Sequence, residues 1–261
     1  VISMTDAIYR RTRIQKLMGE YNIEFEFIDA IDGHRLKKDD LNVFHHNQEM
    51  LLSPGEYGCL LSHISVWKRI CVDGIEKALI LEDDVHLSPG LKSMLDEFRV
   101  ETELIEIYKL ETMGAVVTLD KKPMQVIKGY AFHKAHTNHG GTAAYIINLN
   151  TAKYLFSQHR ALRRAIDTEL FDPERRTILP IVINQCVPSP CIQDMFLPTG
   201  NRDVGLKSMI AGQREDKLIF GFRNKNATVF IIKKLFRPFY LWFVNRQLSF
   251  QGKMRLKIEY G

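Results

Sequence analysis

Three consecutive carboxylates, Glu82, Asp83 and Asp84, follow directly on the apolar run Ala78-Leu79-Ile80-Leu81. The run has the length and composition of a short strand buried on both faces, as in a parallel sheet. Like charges this close repel, and burying them is costly unless something positive lies among them. Oxygen ligands at a strand end suit a divalent cation. In open α/β sheets ligands bind just beyond the carboxyl ends of strands, which is where these acids fall. A solvated acidic turn would carry the same letters, so other residues have to decide.

Arg10, Arg11 and Arg13 stand near the start of a helical pattern that follows the apolar opening Val1-Ile2-Ser3-Met4. Guanidinium groups and helix N-terminal amides both favour anions such as phosphate, although a solvated basic face is the plainer reading. Ser62 and His63 lie beside the stripe Leu60, Ile64, Trp67 and Cys71. Glu111 follows the apolar segment Ile105 to Leu110, at the end of a second short strand. Gly140-Gly141-Thr142 precede the apolar run Ala143 to Ile147. Paired glycines permit close backbone approach to a ligand, or simply a turn. Asp167 opens a helical turn, where an acid also serves as a cap. The adjacent His45 and His46 point different ways on regular structure and read as surface residues.

The elements that must position these groups alternate. Residues 24–30 alternate apolar and polar side chains and predict a strand. Ser53-Pro54-Gly55-Glu56 predicts a helix start with a capping box, and Asp73-Gly74 its end. Leu91 to Phe98 predicts a helix, residues 124–132 have strand character, Asn150 is expected to cap a helix through Phe156, and residues 179–187 predict a strand. This alternation to about residue 195 predicts an α/β fold with a mainly parallel sheet. Neither a GxxxxGK loop nor a GxGxxG fingerprint occurs, which argues against P-loop kinases, ATPases and dehydrogenases.

With 261 residues, 45% of them hydrophobic, the chain can bury one sizeable core and carry an appendage. We divide it into a catalytic domain, residues 1–216, and a C-terminal extension, residues 217–261. A net charge of +5 suits an anionic partner. Cys59, Cys71, Cys186 and Cys191 show no CxxC pairing, which argues against zinc and for thiols in a reducing compartment. No secretory leader pattern opens the sequence. From Lys217 onward ten basic residues face a single acid, Glu259, with Phe236, Phe239, Trp242 and Phe243 interleaved. That pattern describes a basic amphipathic segment lying on an anionic bilayer surface, or packing on the core or in a homodimer.

Taken in order, these segments resemble glycosyltransferase family 25, the bacterial lipooligosaccharide galactosyltransferases. The resemblance is carried by Val1-Ile2-Ser3 with Arg10-Arg11, Phe27 to Ala30, Gly55 to Lys68, Glu82 to Asp84, Leu110 to Thr112, Gly141 to Ile147, and Ile166-Asp167. It covers most of residues 1–200. The chain departs from it at Gln193-Asp194, where Gln-Glu is common.

The resemblance implies a GT-A fold, with a Rossmann-like nucleotide-binding half, and an inverting transfer of a hexose. The donor it favours is UDP-galactose, then UDP-glucose or UDP-N-acetylglucosamine, and the acceptor is a lipooligosaccharide or lipopolysaccharide sugar. It implies a Mn²⁺ or Mg²⁺ ion held by Asp84 and Glu82, with Asp83 orienting its neighbours. Arg10, Arg11, Ser62 and His63 would hold the nucleotide, and Gly140, Gly141 and Thr142 would line the donor-sugar pocket. Asp167 is the expected base and Glu111 its rival. The implied location is the cytoplasmic face of the bacterial inner membrane, with no nucleic-acid partner. A metal-dependent nucleotidyltransferase would share the acids and differ in attacking the α-phosphate.

Overall fold

The computed structural model describes residues 1–36, 52–99, 103–137, 139–177, 180–198, 202–206, 241–242 and 244–261. His45, His46 and most of the basic stretch after Lys217 lie outside the described residues. In chain order the elements are β1 (Ile2–Ser3), α1 (Ile8–Glu20), β2 (Ile28–Asp29), α2 (Pro54–Asp73), β3 (Lys77–Leu81), β4 (Val85–Leu87), α3 (Leu91–Glu97), β5 (Glu106–Lys109), β6 (Glu111–Thr112) and β7 (Val116–Asp120). There follow β8 (Gln125–Ile127), β9 (Tyr130–Lys134), β10 (Ala144–Asn148), α4 (Leu149–Gln158), α5 (Ile166–Phe171), β11 (Val182–Val187), β12 (Cys191–Gln193) and β13 (Lys253–Lys257).

The central sheet has the order β3-β10-β5-β11-β9-β8. A parallel bridge from Ile2 to Glu82 adds β1 beside β3, and β2 pairs parallel with β1. Helices cover both faces. On one side Tyr57, Leu60, Ile64, Trp67 and Ile70 of α2 and Leu155 of α4 pack on Ile80, Ile107, Tyr145 and Ile147. On the other, Ile14 and Met18 of α1 and Leu91 and Met94 of α3 pack on Leu81, Tyr108 and Ile146. Successive residues of β10 feed opposite clusters, as the two-residue period of a strand requires. Each such buried aliphatic side chain contributes about 1.5–3 kcal/mol. Ile147→Ala would leave a cavity in mid-sheet and cost about 2–5 kcal/mol.

The expectation of a mainly parallel sheet is corrected. Among the described strand pairs β1–β2, β5–β11 and β6–β12 are parallel and the rest antiparallel, with β10 antiparallel to both β3 and β5. An unbroken apolar run is buried on both faces whichever way it points, so its composition does not encode direction. Two local expectations also change. The strand expected over residues 24–30 is only Ile28–Asp29, and the helix expected to start at Asn150 is capped by Asn148, whose side chain accepts from Thr151 N–H at 2.7 Å.

The capping box of α2 forms as its sequence predicts. Ser53 Oγ accepts from Glu56 N–H at 3.3 Å, Glu56 Oε2 accepts from Ser53 N–H at 2.9 Å, and Gly74 closes the helix in the left-handed region at φ 66°. The chain after β2 then crosses α2 at very close range. A Cβ on Gly33 would lie 1.7 Å from the Pro54 carbonyl oxygen, so no other residue fits there.

The last strand belongs to the body of the fold. β13, which sequence grouped with the extension, pairs antiparallel with β7, and Ile258 beyond it is completely buried. Among the described residues no helix is long and apolar enough to cross a membrane.

Candidate functional site

Because β10 is antiparallel to β3, its first residues meet the last residues of β3. Glu82 N–H donates to Ala143 O at 2.9 Å, and the turn before β10 is thereby brought against the acids. Thr142 Oγ1 donates to Glu82 Oε1 at 2.9 Å. In the same turn Gly141, at φ 89°, directs its N–H to Asp167 Oδ2 at 3.4 Å. Consecutive residues of one turn therefore touch an acid at the end of β3 and an acid in the first turn of α5.

These groups line one open cleft of about 220 Å³, together with Arg10, Asp32, Cys59, Ser62, His63, Asp83, Asp84, Gln193, Met195 and Phe196. The three acids of the cluster divide. Asp83 accepts from Ser3 Oγ at 2.7 Å and from Arg10 Nη1 at 2.7 Å, which fastens α1 and β1 to the cleft floor. Glu82 Oε2 and Asp84 Oδ1 instead converge on Gln193 Nε2, at 3.3 and 3.4 Å.

Behind Glu82 runs a chain of polar groups. Trp67 Nε1–H donates to the Tyr145 hydroxyl oxygen at 3.1 Å, that hydroxyl lies 2.8 Å from His63 Nδ1, and His63 Nε2 lies 3.4 Å from Glu82 Oε1. Burial works against ionisation of Glu82, but contacts from His63 and Thr142 outweigh it and hold its carboxyl below the ordinary value. Asp84 goes the other way. Burial, then the neighbouring charge of Glu82 and of Asp83, push it up to about 7, against the pull of Arg10 and Gln193.

That imbalance is a test of fit for a cation. Glu82 Oε2 and Asp84 Oδ1 share one polar neighbour, and the charge of Asp84 is incompletely compensated. Turned about its amide, Gln193 would present an oxygen in place of its nitrogen. An all-oxygen set of this kind fits a hard divalent ion such as Mn²⁺ or Mg²⁺.

Beneath the glycine turn lies a buried charge pair. Lys109 Nζ donates to Glu111 Oε1 at 3.0 Å, to Gly140 O at 3.0 Å and to Gly141 O, with its ammonium 4.0 Å from the centre of the Phe171 ring. Glu111 Oε1 also accepts from Ala143 N–H at 2.8 Å, whereas Glu111 Oε2 has no partner among the described residues. Burial pushes Glu111 up to about 7, and burial likewise lowers Lys109. His139, lowered to about 4 by burial and by the charge of Lys109, accepts from Met113 N–H at 3.1 Å and braces the same loop against Gln185.

The sequence-derived candidates thus separate. Arg10, Ser62, His63, Glu82, Asp83, Asp84, Gly141, Thr142 and Asp167 line the cleft. Arg11 does not. Its guanidinium donates to Ser3 O and Met4 O, both at 2.9 Å, and lies over the Phe27 ring, so it ties β1 to β2. Ser62 is on the cleft, but its hydroxyl accepts from Ile31 N–H at 2.8 Å and donates to Gly58 O at 2.6 Å, holding the crossing at Gly33. Glu111 is completely buried and, like Gly140, lies outside the lining. Sequence reasoning missed Lys109, Gln193 and Cys59. Lys109 stands two residues before Glu111 and so shares its strand face, which is the one signal that marked it.

Comparison with known proteins points the same way. A family profile described as Glycosyltransferase family 25 (LPS biosynthesis protein) matches residues 1–170. The Haemophilus influenzae lipooligosaccharide biosynthesis protein lic2B is 27% identical over 92% of this chain and 93% of its own length. The lacto-N-neotetraose biosynthesis glycosyltransferase LgtB of Neisseria meningitidis serogroup B is 29% identical over 82% of each chain. Its Neisseria gonorrhoeae counterpart is 26% identical over 88% of this chain and 86% of its own.

Proposed function

The chain belongs to glycosyltransferase family 25, and from that premise we propose that it is an inverting, metal-dependent GT-A hexosyltransferase. In this reading it moves galactose from UDP-galactose to a sugar of a lipooligosaccharide or lipopolysaccharide acceptor. The observation that carries the proposal is the turn Gly141–Thr142, which links the Glu82–Asp84 pair to Asp167 across one cleft.

Asp167 takes the proton from the attacking acceptor hydroxyl, as a carboxylate on the cleft and within reach of the turn can do. Its position is set by Gly141 N–H on Oδ2 and by Thr168 N–H on Oδ1, at 2.8 Å. Direct displacement with a single base inverts the anomeric centre. Arg10, anchored by Asp83, faces the donor diphosphate, and Thr142 orients Glu82. A divalent ion held by Asp84 and Glu82 would supply charge neutralisation for the departing diphosphate. Glu111, sealed under the turn, holds Lys109 and the loop and does not reach the acceptor.

The C-terminal region is the proposed membrane contact, at the cytoplasmic face of the inner membrane. Supporting it, Trp242 and Phe250 are 60% and 82% exposed, and the Arg246 guanidinium lies over both rings at 5.3 and 6.0 Å. Aromatic and basic side chains of this kind suit an anionic bilayer surface.

The deciding experiment is transfer by the purified chain from a panel of UDP-sugars to lipooligosaccharide, with and without chelator. Transfer of one galactose, release of UDP, a β-linkage from the α-donor and loss of activity in excess chelator are expected. Undiminished transfer in chelator would remove the metal role. Release of galactose 1-phosphate, with the uridylyl group left on the acceptor, would shift the reading to attack at the α-phosphate.

A further inference from the structure

Cys59 and His63 stand four residues apart on α2 and so share one helix face. That face meets the end of β3 at Glu82. The ligating atoms of Cys59, His63 and Glu82 all lie within 4.8 Å of one another, and all three residues line the cleft. The separation of His63 Nε2 from Glu82 Oε1, 3.4 Å, is long for a hydrogen bond between a ring nitrogen and a carboxylate. It matches the edge of a tetrahedron whose centre is about 2.0–2.2 Å from each ligand atom, the distance zinc takes to nitrogen and oxygen.

The rest of the surroundings fit the same ion. A thiolate and a carboxylate together cancel two positive charges, which removes the cost of placing a bare dication in a recess. His63 Nδ1 is held by the Tyr145 hydroxyl at 2.8 Å, and Tyr145 by Trp67, an outer layer of the kind that orients a metal-bound imidazole.

We propose that Cys59, His63 and Glu82 form a site for a thiophilic divalent cation, Zn²⁺, distinct from the hard-cation position shared by Glu82 and Asp84. The two draw on different oxygens: Oε1 faces His63 and Thr142, and Oε2 faces Gln193. The absence of a CxxC pair argued against zinc from sequence, but an i, i+4 Cys–His pair on a helix completed by an acid 19 residues onward from His63 leaves no CxxC trace. Binding requires the imidazole proton to sit on Nδ1, with the Tyr145 oxygen accepting it. The site does not depend on the sugar-transfer reading and would stand if that reading failed.

Titration of the whole chain with Co²⁺, in the absence of any nucleotide sugar, tests it. One equivalent is expected to produce tetrahedral visible bands and a thiolate-to-cobalt band in the near ultraviolet. Excess Zn²⁺ is expected to bleach both and excess Mg²⁺ neither. Cys59→Ser is expected to lose the thiolate band, Cys71→Ser to keep it, and His63→Gln to weaken binding at least tenfold. Absence of the band in the unaltered chain, or its survival in Cys59→Ser, would overturn the proposal. Zinc-edge X-ray absorption on the unaltered chain needs no variant. One sulfur at about 2.3 Å beside nitrogen and oxygen neighbours is expected, and a shell of nitrogen and oxygen alone would also overturn it.

Discussion

Two carboxylates flank the same glycine and live in opposite worlds. Asp167 lines the cleft and receives the outward-facing N–H of Gly141. Glu111 lies on the other side of that backbone, so close that a Cβ on Gly141 would sit 2.7 Å from Glu111 Oε2. One acid faces the cleft, where the proposed transfer would bring the acceptor hydroxyl. The other is sealed against Lys109, with one oxygen unpartnered among the described residues and a carboxyl pushed up to about 7. The difference teaches that distance to the turn does not choose a base. A few ångströms of backbone between acid and cleft do.

The largest test of this contrast is Asp167→Asn, which keeps the shape and removes the proton acceptor. Transfer is expected to fall by roughly 10²–10⁴ while calorimetric UDP binding survives. Near-normal turnover in Asp167→Asn together with a dead Glu111→Gln would reverse the two roles.

Next in size is Gly141→Ala. A side chain at φ 89° is strained, at about 1–3 kcal/mol, and this one also collides with Glu111. Both a lowered melting temperature and at least a tenfold loss of transfer are expected, because the turn carries contacts to Asp167 and Glu82. A variant that loses neither would show that the partition between the two acids does not depend on the glycine.

Glu111→Gln sharpens the comparison through pH. The folded-state value of about 7 lies above the ordinary 4.5. Stability from this group is therefore full below about pH 4.5 and is lost as pH rises toward 7, where burial resists the charge that the unfolded chain accepts freely. The glutamine variant should show a flatter stability profile over that window, read by denaturant unfolding at several pH values, with transfer at neutral pH within about tenfold of wild type. An unchanged slope would mean that Lys109 keeps Glu111 ionised throughout.

Smallest of all should be Trp242→Ala with Phe250→Ala, neither of which lines the cleft. Turnover of a soluble acceptor sugar is expected to stay put, while sedimentation with anionic vesicles falls. Equal sedimentation of variant and wild type would remove the membrane role from this face.

Much of the acid wall was legible in sequence because its signals are local. Four apolar residues running into three acids, a complete capping box over Ser53 to Glu56, and two glycines before an apolar strand each imply their geometry within a few residues. The direction of β10 was not legible, since Ala144 to Ile147 would be buried equally well either way up. Nor was the role of Arg11, which bonds the backbone oxygens of Ser3 and Met4 and pairs with Asp29, 18 positions onward, only once β1 and β2 lie side by side. Gln193 reaches Glu82 from 111 positions away, and Cys59 gains its meaning only once α2 is laid against β3.

The antiparallel entry of β10 beside β3 has a mechanical consequence. The strand end bearing Glu82 and the strand start bearing the glycine turn are joined by the hydrogen bond from Glu82 N–H to Ala143 O, one step beyond the continuous ladder from Leu81–Ala144 to Lys77–Asn148. The acid and the turn therefore move as one body. Spreading them to admit a bulky sugar would mean unzipping the sheet, so the amides of this ladder should be among the slowest in the chain to exchange with solvent. Gating is then left to parts of the lining outside this ladder, such as the short 3₁₀ turn Asp194–Phe196 that brings Met195 and Phe196 to the cleft.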